Sequence, residues 1–149
     1  MKKGERITSF ALPDQNGEEI CIDDLLGSQN LVIYFYPKDE TPGCTKEACT
    51  FRDAMKDFEM LDAKVIGISA DSVASHKSFA ENHNLNFTLL SDSDKKIRNL
   101  LDVPSDLFGL LDGRVTYVVD KEGIVRHVYK SQLNTKKHVE EAKNILNQL

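Results

Sequence analysis

Six consecutive apolar or aromatic residues, Leu31-Val32-Ile33-Tyr34-Phe35-Tyr36, stop abruptly at Pro37. The run is too short for a helix and rich in β-branched and aromatic side chains, as a strand covered on both faces must be. A strand of that kind lies inside a sheet, so the remaining elements have to supply its neighbours and its covering layers.

Three further runs suit the same sheet: Val65-Ile66-Gly67-Ile68-Ser69, residues 115–119 and residues 124–129. The turn Asp120-Lys121-Glu122-Gly123 makes the last two an antiparallel hairpin. Near the start, Phe10-Ala11-Leu12 and residues 18–22 flank Asp14-Gln15-Asn16-Gly17, which predicts an amino-terminal β-hairpin turning on Asn-Gly. Helical spacing separates the strands. Phe51, Met55, Phe58 and Leu61 recur at steps of three and four, as do Val139, Ala142, Ile145, Leu146 and Leu149, while residues 72–82 and 94–101 predict two shorter helices. The alternation implies an α/β domain with a central mixed sheet flanked by helices on both faces. Its order resembles thioredoxin-like folds. No repeat or linker interrupts the chain, so residues 1–149 are expected to form one domain.

Composition narrows the function. A net charge of -5 disfavours nucleic acid or an anionic membrane as partner, because both reward a basic surface. Met1-Lys2-Lys3-Gly4-Glu5-Arg6 is followed by no apolar stretch, and no run approaches the roughly 18 apolar residues of a membrane span, so a cytoplasmic protein is expected. Three cysteines are too few for a secreted disulfide scaffold. In a reducing compartment a spaced pair is more often catalytic or metal-binding.

Cys44 lies where the first buried strand passes through a proline-rich loop into a helix, in Tyr36-Pro37-Lys38-Asp39-Glu40-Thr41-Pro42-Gly43-Cys44-Thr45-Lys46-Glu47-Ala48-Cys49. Unpaired backbone N–H groups and the positive end of the helix dipole favour thiolate there, and thiolate is the nucleophilic form. A lone cysteine is otherwise a small buried apolar residue. Thr41 adds a hydroxyl within reach of the sulfur, and Pro37 and Pro42 stiffen the loop.

Pro37-x-x-x-Thr41-x-x-Cys44 resembles the active-site signature of the peroxiredoxins, and Thr41-Pro42-Gly43-Cys44-Thr45-x-Glu47-x-Cys49 is similar to their bacterioferritin-comigratory, or Q-type, subfamily. The similarity extends over residues 11–17, 65–72 and 106–120, nearly the whole chain. It implies a thiol-dependent peroxidase acting on hydrogen peroxide and organic hydroperoxides, with Cys44 as peroxidatic nucleophile and Pro37, Thr41 and Arg114 completing its site. It further implies that Cys49 resolves the oxidised Cys44 as an intramolecular disulfide. Thioredoxin or a related dithiol would be the reductant, no metal or organic cofactor would be needed, and the protein would be a monomer, with a weak dimer as the alternative. Without the resemblance, Arg114 would be a solvated charge opening an edge strand. With it, a guanidinium near the sulfur can hold thiolate and donate to the oxygens of a breaking O–O bond. Glu47 either complements the helix dipole or contacts that arginine.

The cysteine spacing makes a mechanical demand. Five residues along an intact α-helix separate Cα atoms by roughly 8 to 9 Å, beyond the about 7 Å that a disulfide bridges without backbone movement. If Cys49 resolves Cys44, the helix must locally unwind. Cys49 could instead be a buried helix-face residue, leaving a one-cysteine peroxidase, or Cys44 could relay a disulfide as a redox sensor. A thioredoxin-like oxidoreductase would carry Cys-x-x-Cys, and a structural zinc site would need a second ligand pair. Cys21, between Ile20 and Ile22, is expected to be inert. His76, His83, His127 and His138 are expected at the surface, and Asp92, Asp94, Asp102, Asp106 and Asp112 in solvated loop or helix-cap roles.

Overall fold

The structure is a computed structural model describing the backbone of residues 1–149 and every side chain except that of residue 107. A five-stranded sheet in the order β5-β4-β3-β8-β9 forms its centre. Strand β3 (Asn30–Phe35) is buried at every position, as its composition requires. It pairs in parallel with β4 (Ala63–Ser69) and antiparallel with β8 (Val115–Val119). Strand β5 (Thr88–Ser91) runs parallel to β4, and β9 (Val125–Lys130) runs antiparallel to β8. The expected mixed sheet is present, with β5 as an additional edge strand. Its Thr-Leu-Leu-Ser sequence carries little of the β-branched and aromatic signal of the inner strands.

Side-chain alternation along β3 divides the core. Val32, Tyr34 and Tyr36 face α1 (Pro42–Asp53), α2 (Met55–Met60), α3 (Val73–Asn82) and α5 (Thr135–Leu146). Leu31, Ile33 and Phe35 face the short α4 (Lys96–Leu100) and the amino-terminal residues Ile7, Phe10 and Ile22. The helical stripe over residues 51–61 is split at Ala54 into α1 and α2, a bend that keeps Phe51, Met55 and Phe58 in one core. Gly67 serves the packing of β4: a Cβ there would lie 2.8 Å from Cζ of Tyr34, whose ring is stacked on Phe51 at 4.5 Å.

The amino-terminal hairpin joins β1 (Ala11–Pro13) to β2 (Glu19–Cys21), with Leu12 opposite Ile20. Its turn and the β8–β9 turn share one construction. An aspartate carboxylate, Asp14 or Asp120, accepts two downstream backbone N–H groups, and Gly17 or Gly123 takes a positive φ. The same amino-terminal segment reaches both sides of the sheet. Gln15 hydrogen-bonds the backbone of Phe87 and Leu89 beside β5, while Gly4, Glu5 and Ile7 make backbone bonds to Val125 and Gly123 at the start of β9. A second small pair, β6 (Ser105–Asp106) and β7 (Leu111–Asp112), precedes β8.

One expectation about polar residues is corrected. His76 and His138 are fully buried, because each lies on the inward stripe of its helix, three residues before Phe79 and four before Ala142, and finds polar partners there. Asp92 takes one of the two expected roles, capping a helix, and does so while buried: its carboxylate accepts the Ile97 and Arg98 N–H groups at 3.0 and 2.9 Å, which otherwise lack partners at the start of α4.

Candidate active site

Strand β3 and the loop after it deliver Cys44 to the first turn of α1. Thr41 is the N-cap, and Pro42 follows as the first helical residue, where a missing N–H costs nothing. Cys44 is 1% exposed. Arg114, immediately before β8, is also buried and reaches three acceptors at once. Its Nη2 donates to Cys44 Sγ at 3.3 Å, its Nη1 to Glu47 Oε1 at 2.7 Å and its Nε to the Gln132 carbonyl at 3.0 Å. That geometry uses the planar fork of a guanidinium, which an ammonium cannot reproduce. Gly43 makes room for it, since a Cβ on Gly43 would sit 3.1 Å from Arg114 Nη2.

Thr41 is half-buried at the rim, and its hydroxyl donates to the Lys38 carbonyl at 2.8 Å rather than to the sulfur. With its proton so committed, the oxygen lone pairs remain able to accept from a hydroxyl-bearing ligand. Pro37 is half-buried at the base of the loop. Cys49 stands in the same unbroken helix, partly exposed, and all three cysteines are free thiols. The structure therefore brings Cys44 and Arg114 into direct contact, sets Pro37 and Thr41 in the adjoining loop, and holds Cys49 apart by the rise of the helix. Cys21 lies in β2, its sulfur 3.9 Å from the Ser9 hydroxyl.

Glu47 is more than a dipole complement. It is fully buried beneath Arg114, and burial pushes its carboxyl up to about 7 against the opposing pull of the guanidinium. Burial pulls the guanidinium down, but Glu47 and Cys44 together carry it above its ordinary value. The position had a sequence signal: three residues after Cys44, Glu47 shares its helical face. His138 lies on the other side, with Nδ1 3.7 Å from Glu47 Oε2.

A second buried network fixes the loop. Asp39 accepts from the Tyr36 hydroxyl at 2.6 Å and the Ser75 hydroxyl at 2.9 Å, and its Oδ2 lies 2.7 Å from His76 Nδ1. The other ring nitrogen of His76 donates to the Leu90 carbonyl, and the Asp39 N–H donates to Asp71. Tyr36, Asp39 and His76 thereby lock the path from β3 toward Thr41. Farther along, Glu40 adopts a positive φ and pairs with Asn82 and His83 at the end of α3.

Comparison with known proteins agrees with this geometry. Residues 3–128 match the AhpC/TSA family model. The chloroplastic peroxiredoxin Q of Populus jackii is 48% identical over 149 residues, covering 100% of this chain and 70% of that protein. That of Arabidopsis thaliana is 49% identical over 146 residues, covering 98% and 67%. Among solved structures, peroxidoxin BcpB of Mycobacterium tuberculosis superposes with a TM-score of 0.92 at 37% identity, covering 100% of this chain and 98% of that one. A variant of the Xylella fastidiosa PrxQ superposes with a TM-score of 0.90 at 30% identity, covering 99% and 96%.

A thioredoxin-like sheet whose first crossover helix opens on a buried thiol, in a chain so similar to these proteins, defines a thiol-dependent peroxidase. The chain belongs to the AhpC/TSA family of peroxiredoxins, and its likeness is to the Q-type members. It takes a peroxide as substrate and a thiol as reductant.

Proposed function

We propose that Cys44 is the peroxidatic nucleophile and that Cys49 resolves it. The observation that carries this reading is the 3.3 Å approach of the Arg114 guanidinium to the Cys44 sulfur in a buried strand-to-helix junction. The thiolate attacks the outer oxygen of a hydroperoxide, an S–O bond forms as the O–O bond breaks, and sulfur is left as sulfenic acid. Arg114 donates to the oxygens on which charge develops, Thr41 accepts from the peroxide O–H, and Pro37 keeps the loop in register.

Resolution then follows by unwinding of the amino-terminal half of α1. Its N-cap makes no side-chain hydrogen bond, and Gly43 occupies its first turn, so that end has little local support. The far end is held by Phe51 against Tyr34 and by the Arg52 guanidinium on the His83 carbonyl. Melting between these limits lets Cys44 reach Cys49. Thioredoxin or a related dithiol reduces the disulfide by exchange. Hydrogen peroxide and organic hydroperoxides are the substrates, and one chain supplies every group, so a monomer suffices. The cycle needs reduced dithiol, which suits a reducing compartment such as the cytoplasm.

The test follows peroxide consumption with thioredoxin, thioredoxin reductase and NADPH in wild type, Cys44→Ser and Cys49→Ser, with intact mass after one equivalent of hydrogen peroxide. Wild type is expected to lose two hydrogens by forming a disulfide that Cys49→Ser cannot form, and Cys44→Ser to be inactive. Normal turnover in Cys49→Ser would reduce Cys49 to a structural role.

A further inference from the structure

Glu47 presents an imbalance. Its Oε1 accepts from Arg114, yet its Oε2 is buried without a hydrogen-bond partner. A carboxylate oxygen so placed is costly, because it has left water and gained no donor. The neighbour at 3.7 Å, His138 Nδ1, does not supply one. His138 Nε2 faces the Ser131 carbonyl at 2.7 Å and must donate to it, while Nδ1 faces the Thr116 hydroxyl at 2.8 Å. Burial holds the ring neutral, down to about 4, so Nδ1 carries a lone pair. The Thr116 O–H donates into that lone pair, so His138 has no hydrogen to give Oε2, and a buried oxygen left without a donor favours the carboxylic acid over the carboxylate.

The charges of the site lead to the same state. The thiolate of Cys44 and the guanidinium of Arg114 cancel, and an ionised Glu47 would leave one uncompensated buried negative charge. The other titratable groups around the pair do not balance it: Tyr34 on β3 is held neutral chiefly by burial, and Tyr129 on β9 meets His138 through its ring at 4.7 Å. After oxidation the sulfur is neutral sulfenic acid. Arg114 is then balanced only if Glu47 ionises.

We propose that Glu47 stores a proton for the peroxide step and that His138 is the positioning residue that keeps it there. The proposal rests on Cys44 being the nucleophile. In the resting site Glu47 is protonated and Cys44 is thiolate. Attack transfers one oxygen to sulfur and two electrons to the peroxide, and the leaving oxygen requires one proton to become an alcohol or water. Glu47 gives up one proton over the same conversion, because the neutral sulfenic acid no longer balances Arg114, and the two proton changes cancel. Thiolate, carboxylic acid and hydroperoxide become sulfenic acid, carboxylate and alcohol, with no net proton drawn from solvent.

The experiment uses Cys49→Ser, which stops at sulfenic acid, in weakly buffered solution about one pH unit below the Glu47 value of about 7, with an indicator dye and one equivalent of hydrogen peroxide. Infrared difference spectra follow the C=O stretch of protonated carboxyl groups in the same reaction. The expected result is almost no proton uptake and loss of a protonated-carboxyl band. Adding Glu47→Gln, an isosteric change, should raise uptake to about one proton per sulfenic acid and abolish the band change. Equal uptake with and without Glu47→Gln, or a carboxyl spectrum unmoved by oxidation, overturns the proposal. The pH at which uptake begins should fall in His138→Gln, whose amide can donate to Oε2. A midpoint that stays put removes His138 from the account. Mass spectrometry separates the two levels of the argument: absence of sulfenic acid on Cys44 refutes the nucleophile assignment itself.

Discussion

Replacing Arg114 with lysine tests how much the guanidinium fork contributes, because charge is retained while geometry is lost. The native side chain satisfies Cys44 Sγ, Glu47 Oε1 and the Gln132 carbonyl through three separate nitrogens. An ammonium is a single centre on a different stem and cannot span all three. The Glu47 contact is the shortest of them, so the ammonium should settle there and leave the sulfur without its oriented donor. Loss of one such donor to reacting atoms costs about 2.7–4 kcal/mol, or roughly 10²–10³ in rate. Single-turnover stopped-flow with hydrogen peroxide, in a Cys49→Ser background, isolates the attack from resolution. The second-order rate constant should fall by that factor while the circular dichroism spectrum stays native. A rate within about tenfold of the parent, less than 1.4 kcal/mol, would refute the claim that the fork acts on the reacting atoms.

Gly43→Ala should slow peroxide attack in the same single-turnover assay, because the new Cβ meets Arg114 Nη2 at 3.1 Å and displaces the guanidinium from the sulfur. Phe51→Ala removes the ring stacked on Tyr34 and should destabilise the fold by about 3–5 kcal/mol, read by urea denaturation. The pH dependence of stability should be masked in wild type and appear in variants. Glu47 is raised to about 7 when folded, so its contribution is present below its ordinary 4.5 and lost as pH rises through 7. His138 is lowered to about 4, so its contribution is present above its ordinary 6.5 and lost as pH falls through 4. Each effect is on the order of 3 kcal/mol, and they oppose one another between about 4.5 and 6.5. Glu47→Gln should lose stability as pH falls through that window, His138→Gln should not, and parallel profiles for the two would contradict the assignment.

The legible parts of this molecule were those written in short-range pattern. Six apolar residues ending at Pro37 announced the central strand, aspartate-plus-glycine turns announced both hairpins, and the strand-loop-helix junction announced Cys44. Arg114 was legible only through family resemblance, because nothing local distinguishes a buried strand-opening arginine from a solvated one. The burial of His76 and His138 escaped for a related reason, whereas the arginine contact was one of the two roles the helix position of Glu47 offered. Polar residues enter a core only when a distant partner satisfies them, and such partners, 67 residues apart for Arg114 and Glu47, leave no trace in local periodicity. Strand β5 escaped because four residues with little β-branching give an edge strand no rhythm to detect.

The amino-terminal segment that touches Leu89 on one side of the sheet and Val125 on the other bears on what the folded chain can join. Outer strands present rows of unpaired N–H and C=O groups that invite another chain to add itself. Here the glutamine side chain of Gln15 imitates a neighbouring strand against one border, and the backbone of Gly4 to Ile7 occupies the beginning of the other. The first fifteen residues thus make the sheet self-terminating. Proteolytic removal of that segment would bare two adhesive borders and at the same time strip Ile7 and Phe10 from the core beneath Leu31, Ile33 and Phe35, so loss of solubility and loss of stability should follow the same cleavage.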